Sequence, residues 1–364
     1  MMGRGNDDEP GRIGFPLDTP RHGPIVGLPR PSTVGPAMPS PAQPTPVGVF
    51  DELGRYADYL WNQCEQPLGR HNTIQLSRWD ARAPHRFVMT WPSPEGGTRH
   101  AGGWKRNLYK LMHWPTEPLR MQHSYDRLGH DPARTTVMFY EPPAYVPDEW
   151  FAMAKANAAR VYAPDPRATH PVVLPSMWTL EWDIQSMRAY SPPDKPLPLV
   201  SIAAGAPKGK RLIPGHLARL EFYRKLRRAG VPLALYGRGL PGDVSGGGPI
   251  ACKGHVMRPA RFTLAIENYG EGDQYITEKI WDPLVCWSLP IYFGSKAADR
   301  LIPKESFIRL PDLGDEGVRV VVETLANPNI WNERLEAMAE ARRRCLHELR
   351  LVDWIARELP GWMR

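Results

Sequence analysis

Residues Phe262–Ser295 read FTLAIENYGEGDQYITEKIWDPLVCWSLPIYFGS, and the order of apolar and polar positions in this stretch decides the fold class. Phe262 to Ile266 is apolar enough for a buried strand. Glu267 and Asn268 sit where that strand stops, and Gly270, Gly272 and Asp273 form a loop. Thr277, Glu278 and Lys279 open a helix that extends to about Trp287. Pro290 to Phe293 is the next strand, closed by Gly294. In open α/β sheets, ligands bind at the carboxyl ends of strands and near helix N-termini. Glu267, Asn268, Tyr275, Thr277, Glu278 and Lys279 gather at that position. They point to an anionic ligand bearing hydroxyl groups, for which a nucleotide sugar is the natural candidate.

Working outward, the same alternation recurs on both sides. Downstream, Phe307 to Leu310 predicts a strand and Gly314 to Ala326 a helix. Asn329 to Leu359 predicts a long basic helical region, broken once. Upstream, Leu199 to Ala204 predicts a strand, Pro214 to Ala229 a helix and Val231 to Tyr236 a strand. Residues 191–198, SPPDKPLP, hold four prolines and are the expected linker. Before it, Arg86 to Trp91, Thr135 to Tyr140 and Arg160 to Ala163 read as strands. Pro147 to Ala159 reads as a helix with proline in its first turn, and Pro171 to Trp182 as a loop with short strand pieces. Asp51 is the expected N-cap of a helix running to Trp61, and Trp104 to His113 is read as a helix leading into a strand. Residues 1–48 carry eleven prolines and little apolar periodicity, the composition of a tail that cannot offset its own ordering entropy. The expected organisation is a tail at 1–48, a first domain at 49–190, a second at 191–330 and a basic helical region at 331–364. Strands alternating with helices imply parallel sheets with right-handed crossovers, hence an α/β chain of two facing Rossmann-like domains with a cleft between them.

Composition narrows the function classes. The 364 residues suffice for two domains, and 42% hydrophobic with 23% charged residues is ordinary for a globular chain. A formal charge of +7 suits a phosphate-bearing ligand or an anionic membrane surface. No recognition-helix, RNP-like or zinc-finger pattern is present, so nucleic acid is not an expected partner. The four cysteines, Cys64, Cys252, Cys286 and Cys345, match no metal spacing, which favours a reducing compartment; Cys286 lies in the apolar helix and reads as a core thiol. No apolar run reaches the ~18 residues of a membrane span, and the N-terminus lacks an apolar signal region. A cytoplasmic location is expected, with peripheral contact between the basic segment Arg342 to Arg357 and lipid as its membrane option.

Several motifs carry a plain structural reading beside the chemical one. Gly237, Gly239 and Gly242 satisfy GxGxxG after a strand, but Pro241 and the glycines that follow bar the helix which that fingerprint requires. Thr277 and Glu278 are also what any helix start would hold. Lys279 in the first turn opposes the helix dipole and calls for a ligand or partner, which a diphosphate would supply. Arg219 on its helix would by itself read as a solvated face. Lys208 and Lys210 lie in a glycine-rich loop suited to phosphate. Glu141, at a strand end stiffened by Pro142 and Pro143, is a general-base candidate. No Asp-x-Asp motif is present; Glu271 and Asp273 come nearest to one, in a loop. No GxSxG elbow or Walker loop is found.

Taken together these segments resemble the α-1,3-fucosyltransferases, the family 10 glycosyltransferases. That family's pattern runs F-x-x-x-x-E-N-S, then D-Y-[IVT]-T-E-K-[LIW], then V-P-[IV]-x-x-G. Here it is matched by Phe262 to Asn268, Gln274 to Ile280 and Leu289 to Gly294. Arg219 in ARLEFYRKL, followed by Tyr236 and Gly237, resembles the family's S-R-V-x-Y-Y helix and its Y-G strand end, and Glu141 in YEPP resembles its E-S-P segment. The resemblance spans about residues 135–325 and is strongest in the second half. It implies a GT-B fold, GDP-fucose as donor, an oligosaccharide or glycolipid acceptor and no obligatory cofactor or metal. By motif position Arg219 and Lys279 would neutralise the diphosphate, and Glu278 and Tyr275 would contact ribose or sugar. Asn268 would lie near fucose or phosphate, Glu267 would shape the site with Thr277, and Glu141 would deprotonate the acceptor. Tyr269 replaces the family's serine, the loop from Gly270 to Gln274 is longer, and Pro142 replaces a serine. These departures touch the sugar and acceptor side, so a GDP-sugar is implied more firmly than fucose.

Overall fold

The computed structural model describes residues 43–51, 56–78, 80–90, 131–204, 214–244, 246–270, 272–327 and 329–364. Trp104 to His113, Lys208 and Lys210 lie outside them. The first sheet holds β1 (Thr45–Asp51), β2 (Arg70–His71), β3 (Ile74–Arg78), β4 (His85–Thr90), β5 (Thr135–Phe139), β6 (Arg160–Ala163) and β7 (His170–Pro171). Their order is β2-β3-β1-β4-β5-β6-β7, parallel except for the β2–β3 pair. Helices α1 (Tyr56–Asn62) and α2 (Asp148–Asn157) lie in its connections. A short helix α3 (Ile184–Ala189) precedes the second sheet, which holds β8 (Leu197–Ile202), β9 (Leu233–Tyr236), β10 (Ala260–Ile266), β11 (Leu289–Phe293) and β12 (Ile308–Arg309). The order there is β12-β11-β10-β8-β9, all parallel. Between these strands run α4 (Pro214–Arg228), α5 (Gly254–Met257), α6 (Glu278–Val285) and α7 (Ala297–Leu301), with α8 (Asp315–Ala326), α9 (Ile330–Glu333), α10 (Leu335–His347) and α11 (Leu351–Trp362) after β12.

Each sheet reverses its winding once. β1 lies between β3 and β4, and β8 between β9 and β10. Connections therefore leave opposite faces at these two places, and the carboxyl ends there part to form a crevice. Central strands are buried on both faces, so they read as continuous apolar runs; successive residues Val49 and Phe50, and Leu264 and Ala265, which point to opposite faces, are all buried.

Four expectations are corrected. The tail does not reach residue 48, because β1 begins at Thr45. Pro46 and Gly48 depress strand propensity in the sequence, yet Gly48 is required: a Cβ there would lie 2.3 Å from the Asp80 carbonyl oxygen. Asp51 ends β1 rather than capping a helix at its own position; its Oδ2 accepts from the Ala57 amide at 3.1 Å, within the helix that starts at Tyr56. The passage between domains precedes the proline-rich stretch. Leu174 and Met177 pack in the first core, whereas Trp178, Leu180, Ile184 and Met187 pack in the second. Residues 191–198 are fastened to the second sheet, since buried Lys195 donates to the carbonyls of Arg258 and Cys286 at 2.6 and 2.8 Å. The basic C-terminal region is three helices. Arg342 is buried, donates to the carbonyls of Val285 and Met187 and lies over the Trp287 ring, so it is not a surface cation facing lipid.

The C-terminal helices serve both cores. Met338, Ala341, Cys345 and Leu346 of α10 join the second, while Leu351, Trp354, Ile355 and Trp362 of α11 join the first. The two crossings run side by side: Ser176 exchanges backbone hydrogen bonds with Leu349 and Leu351. Among the described residues no helix is long and apolar enough to cross a membrane.

Candidate active site

At the end of β10, Glu267 turns inward and is almost wholly buried. It accepts from the Thr277 amide at 2.8 Å and from the Thr277 hydroxyl at 2.7 Å. The same hydroxyl oxygen accepts from the Lys279 amide, which caps α6. Glu267 thus fastens the N-terminus of α6 to the end of β10. Burial raises its carboxyl above the ordinary range, against the opposing charge of Lys279.

Lys279 Nζ lies 3.5 Å from Glu267 Oε2 and 3.2 Å from Glu278 Oε1. A first-turn lysine called for a ligand or partner, and here it finds protein partners. Burial works against its charge, and the two carboxylates more than offset that and raise its pKa. For Glu278, burial is overcome by Lys279 and Lys253, which hold the carboxyl down at about 2. Glu278 is therefore ionised at neutral pH.

Arg219 is 3% exposed, not a solvated helix residue. Its guanidinium spans the switch point of the second sheet, donating to Asn268 Oδ1 at 2.8 Å after β10 and to the Ala204 carbonyl at 3.2 Å after β8. Gly215, at the start of α4, presses on the same residue; a Cβ there would stand 2.1 Å from the Asn268 carbonyl oxygen. Neighbouring His216 is pushed down to about 4 by burial and by the charges of Arg219 and Lys279, so it is neutral at neutral pH. Gly237 has φ +149, and a Cβ would meet the Ala203 carbonyl at 1.6 Å. The glycine serves close approach of the β8 and β9 ends. The next helix is α5, starting at Gly254, so the GxGxxG run lacks its dinucleotide context.

Glu141 lies just past β5, followed by extended Pro142 and a 3₁₀ turn at Pro143–Tyr145. Tyr145 Oη donates to the Asn268 carbonyl at 3.2 Å, which ties the Glu141 loop to the second sheet. Burial and then the charge of Glu141 push the Tyr145 hydroxyl up to about 12, with Arg219 acting in the opposite sense. Glu141 and Arg219, from different sheets, thus bear on one hydroxyl. Tyr275 is buried against the first core, edge-on to Tyr269 with ring centroids 6.2 Å apart, and lines a smaller cavity with Tyr269 and Gln274.

A cleft of about 1110 Å³ opens beside this cluster. Asp58, Tyr59 and Arg78 line it from the first sheet; Ala203, Gly237 and Lys253 line it from the second. Tyr145, His216 and Lys253 were not singled out by sequence reasoning. Tyr145 and His216 each lie within four residues of a residue that was, and Lys253 carries no local pattern. Among the described residues no three His, Cys, Asp or Glu side chains gather as a metal-binding group.

Two parallel α/β sheets facing across a cleft at their carboxyl ends, with a C-terminal helix returning to the first, are the GT-B architecture of glycosyltransferases. Residues 212–325 match the family model described as glycosyltransferase family 10 (fucosyltransferase) C-term. Among curated proteins it is similar to GDP-fucose protein O-fucosyltransferase 3 of Bos taurus, 27% identical over 116 residues, covering 28% of this chain and 24% of the relative. The protein of the same name from Xenopus laevis is 28% identical over 105 residues, covering 24% of this chain and 22% of the relative. The chain thus spans about a quarter of the length of the curated relatives it matches. Among solved structures, an α1,3-fucosyltransferase is 13% identical with a TM-score of 0.45, covering 86% of this chain and 93% of that one. A T4 phage BGT mutant with UDP-glucose is 11% identical with a TM-score of 0.44, covering 87% and 97%.

Proposed function

We propose that this chain transfers fucose from GDP-fucose to a hydroxyl of a glycan acceptor, with inversion and without an obligatory metal. The observation that carries the reading is the Arg219 guanidinium spanning both strand ends of the switch point, beside the family 10 match. The diphosphate would lie against Arg219, Lys279 and the N-terminus of α6, where cation and helix dipole favour an anion. Glu278 would accept from ribose or sugar hydroxyls, with Asn268 beside the fucose or phosphate. Glu141 would take the proton from the acceptor hydroxyl as its oxygen attacks the anomeric carbon. The bond from that carbon to the phosphate oxygen breaks in the same displacement, and GDP leaves with the electron pair. Lys279 and Arg219 supply the charge stabilisation on the leaving group, each on the order of 2–4 kcal/mol.

A donor panel of GDP-fucose, GDP-mannose and other GDP-hexoses, tested on β-galactosides, N-acetyllactosamine and lipopolysaccharide fragments with product mass spectrometry, tests the reading. Transfer from GDP-fucose with an inverted product is the expected result. Transfer only from another GDP-hexose would favour a second reading, for which Tyr269 in place of the family's serine is the motivating observation. GDP binding with no transfer to any acceptor would make the chain a nucleotide-binding protein. Glu141→Gln is expected to keep GDP affinity and lose turnover by ~10²-fold or more; normal turnover would remove Glu141 from the role of base.

A further inference from the structure

On the donor reading just given, we propose that Lys253 is a positioning residue that orients Glu278 toward the hydroxyls of the bound nucleotide sugar, beyond its part as counter-ion to a buried aspartate. Asp282 is fully buried inside α6. Its Oδ1 accepts from the Thr179 amide at 2.7 Å, and its Oδ2 from the Thr179 hydroxyl at 2.7 Å and from Lys253 Nζ at 2.9 Å. Lys253 Nζ also donates to Thr179 Oγ1 at 2.6 Å. These contacts already satisfy a structural requirement, because a buried carboxylate without a partner is costly. The ammonium nevertheless sits off the far side of this pair. It lies 3.6 Å from Glu278 Oε1, one helical turn before Asp282, and both Lys253 and Thr179 line the large cleft.

Glu278 Oε1 is therefore shared by two ammonium groups, Lys279 at 3.2 Å and Lys253 at 3.6 Å. An ionised carboxylate accepts strongly from hydroxyl groups. Lys279 reaches that oxygen from the neighbouring position on the same helix, whereas Lys253 reaches it from another element and is itself anchored to Asp282 and Thr179. Lys253 thus gives the carboxylate a second, fixed point of attachment. The cation that closes the core of the second sheet also fixes the acceptor at the site.

The two roles separate in a set of variants: Lys253→Met, Asp282→Asn and the double variant, each examined by thermal unfolding and by GDP calorimetry. Lys253→Met is expected to lower both Tm and GDP affinity. In the double variant the buried charge is gone, so Tm recovers, while GDP affinity stays about tenfold below wild type, the size of one lost charge-assisted contact. In a Glu278→Gln background, Lys253→Arg and Lys253→Met should bind GDP alike, whereas with Glu278 present the arginine variant should bind more tightly. Recovery of both Tm and GDP affinity in the double variant would overturn the positioning role and leave a counter-ion only. A wild-type protein that binds no GDP would instead overturn the donor reading on which this role rests.

Discussion

Arg219 joins the ends of β8 and β10 through one guanidinium, and the geometry of that fork matters as much as its charge. Lysine carries the charge without the planar pair of donors. Arg219→Ala is expected to weaken GDP binding by ~10²-fold, and Arg219→Lys to restore only part of it, as read by calorimetry. His216, half-buried beside Arg219 and Lys279, has a folded pKa of about 4 against an ordinary 6.5. Between these values the unfolded chain binds more protons than the folded one, so stability rises with pH through the window. The contribution is complete above about pH 6.5 and is lost as pH falls through about 4. His216→Gln should flatten the pH dependence of urea unfolding in that interval; an unchanged slope would assign it to other groups. Glu267 and Lys279 were legible because they sit in a dense local pattern, and Arg219 because its helix resembles the family's S-R-V-x-Y-Y segment. His216 and Lys253 were not, since what distinguishes them is which charges lie near them in space.

The unit β10–α6–β11 does its work through its joints. Glu267 clamps the α6 N-terminus, Thr277 caps it, and Asn268 receives Arg219 on its side chain and Tyr145 on its carbonyl. Gly215 lets the start of α4 rest on that same carbonyl. Gly215→Ala would bring a methyl to 2.1 Å of it, and either helix or strand end must shift. A loss of about 1–3 kcal/mol in unfolding free energy is expected, with weaker GDP binding because Asn268 moves. Preserved affinity would mean that Asn268 does not need its present position. This unit was readable because its strand, loop and cap signals agree. β1 was not, because Pro46 and Gly48 argue locally against a strand that burial on both faces nevertheless stabilises. The loop at Tyr269 puts Tyr275 against the first core, a placement decided by what the neighbouring sheet offers for it to pack on.

Besides the Tyr145–Asn268 link, the halves are joined at Ser176 and at Arg350. Arg350 is buried and pairs with Glu65 at 2.9 Å and Asp353 at 2.5 Å, while its Nη1 donates to the Gln63 carbonyl at 3.0 Å. Beyond it, α11 covers the first sheet: Trp354 meets Tyr162 edge-on with ring centroids 4.8 Å apart and Phe87 at 6.3 Å. Trp354→Ala should cost about 3–5 kcal/mol through the cavity it leaves. Hydrogen exchange should show the loss first in β1 and β4, with β8 and β10 keeping their protection. Equal loss in both sheets would show that they unfold as one unit. Either result measures how firmly the C-terminal helix couples the half that holds Glu141 to the half that holds Arg219.

The sequence by itself determined the alternation of strands and helices, the donor-side pattern around Glu267 to Lys279 and the candidate base at Glu141, because each of these is written in short-range order. Tertiary structure alone decided where the chain passes between cores, that its last helix returns to the first sheet, and that Tyr145 bridges Glu141 to Asn268. It also decided that Lys279 is shared by two carboxylates and that Lys253 approaches the same Glu278 oxygen. Strand and helix periodicity is a property of neighbours a few residues apart. Charge pairing and burial belong to residues brought together from distant parts of the chain, and no local pattern encodes them.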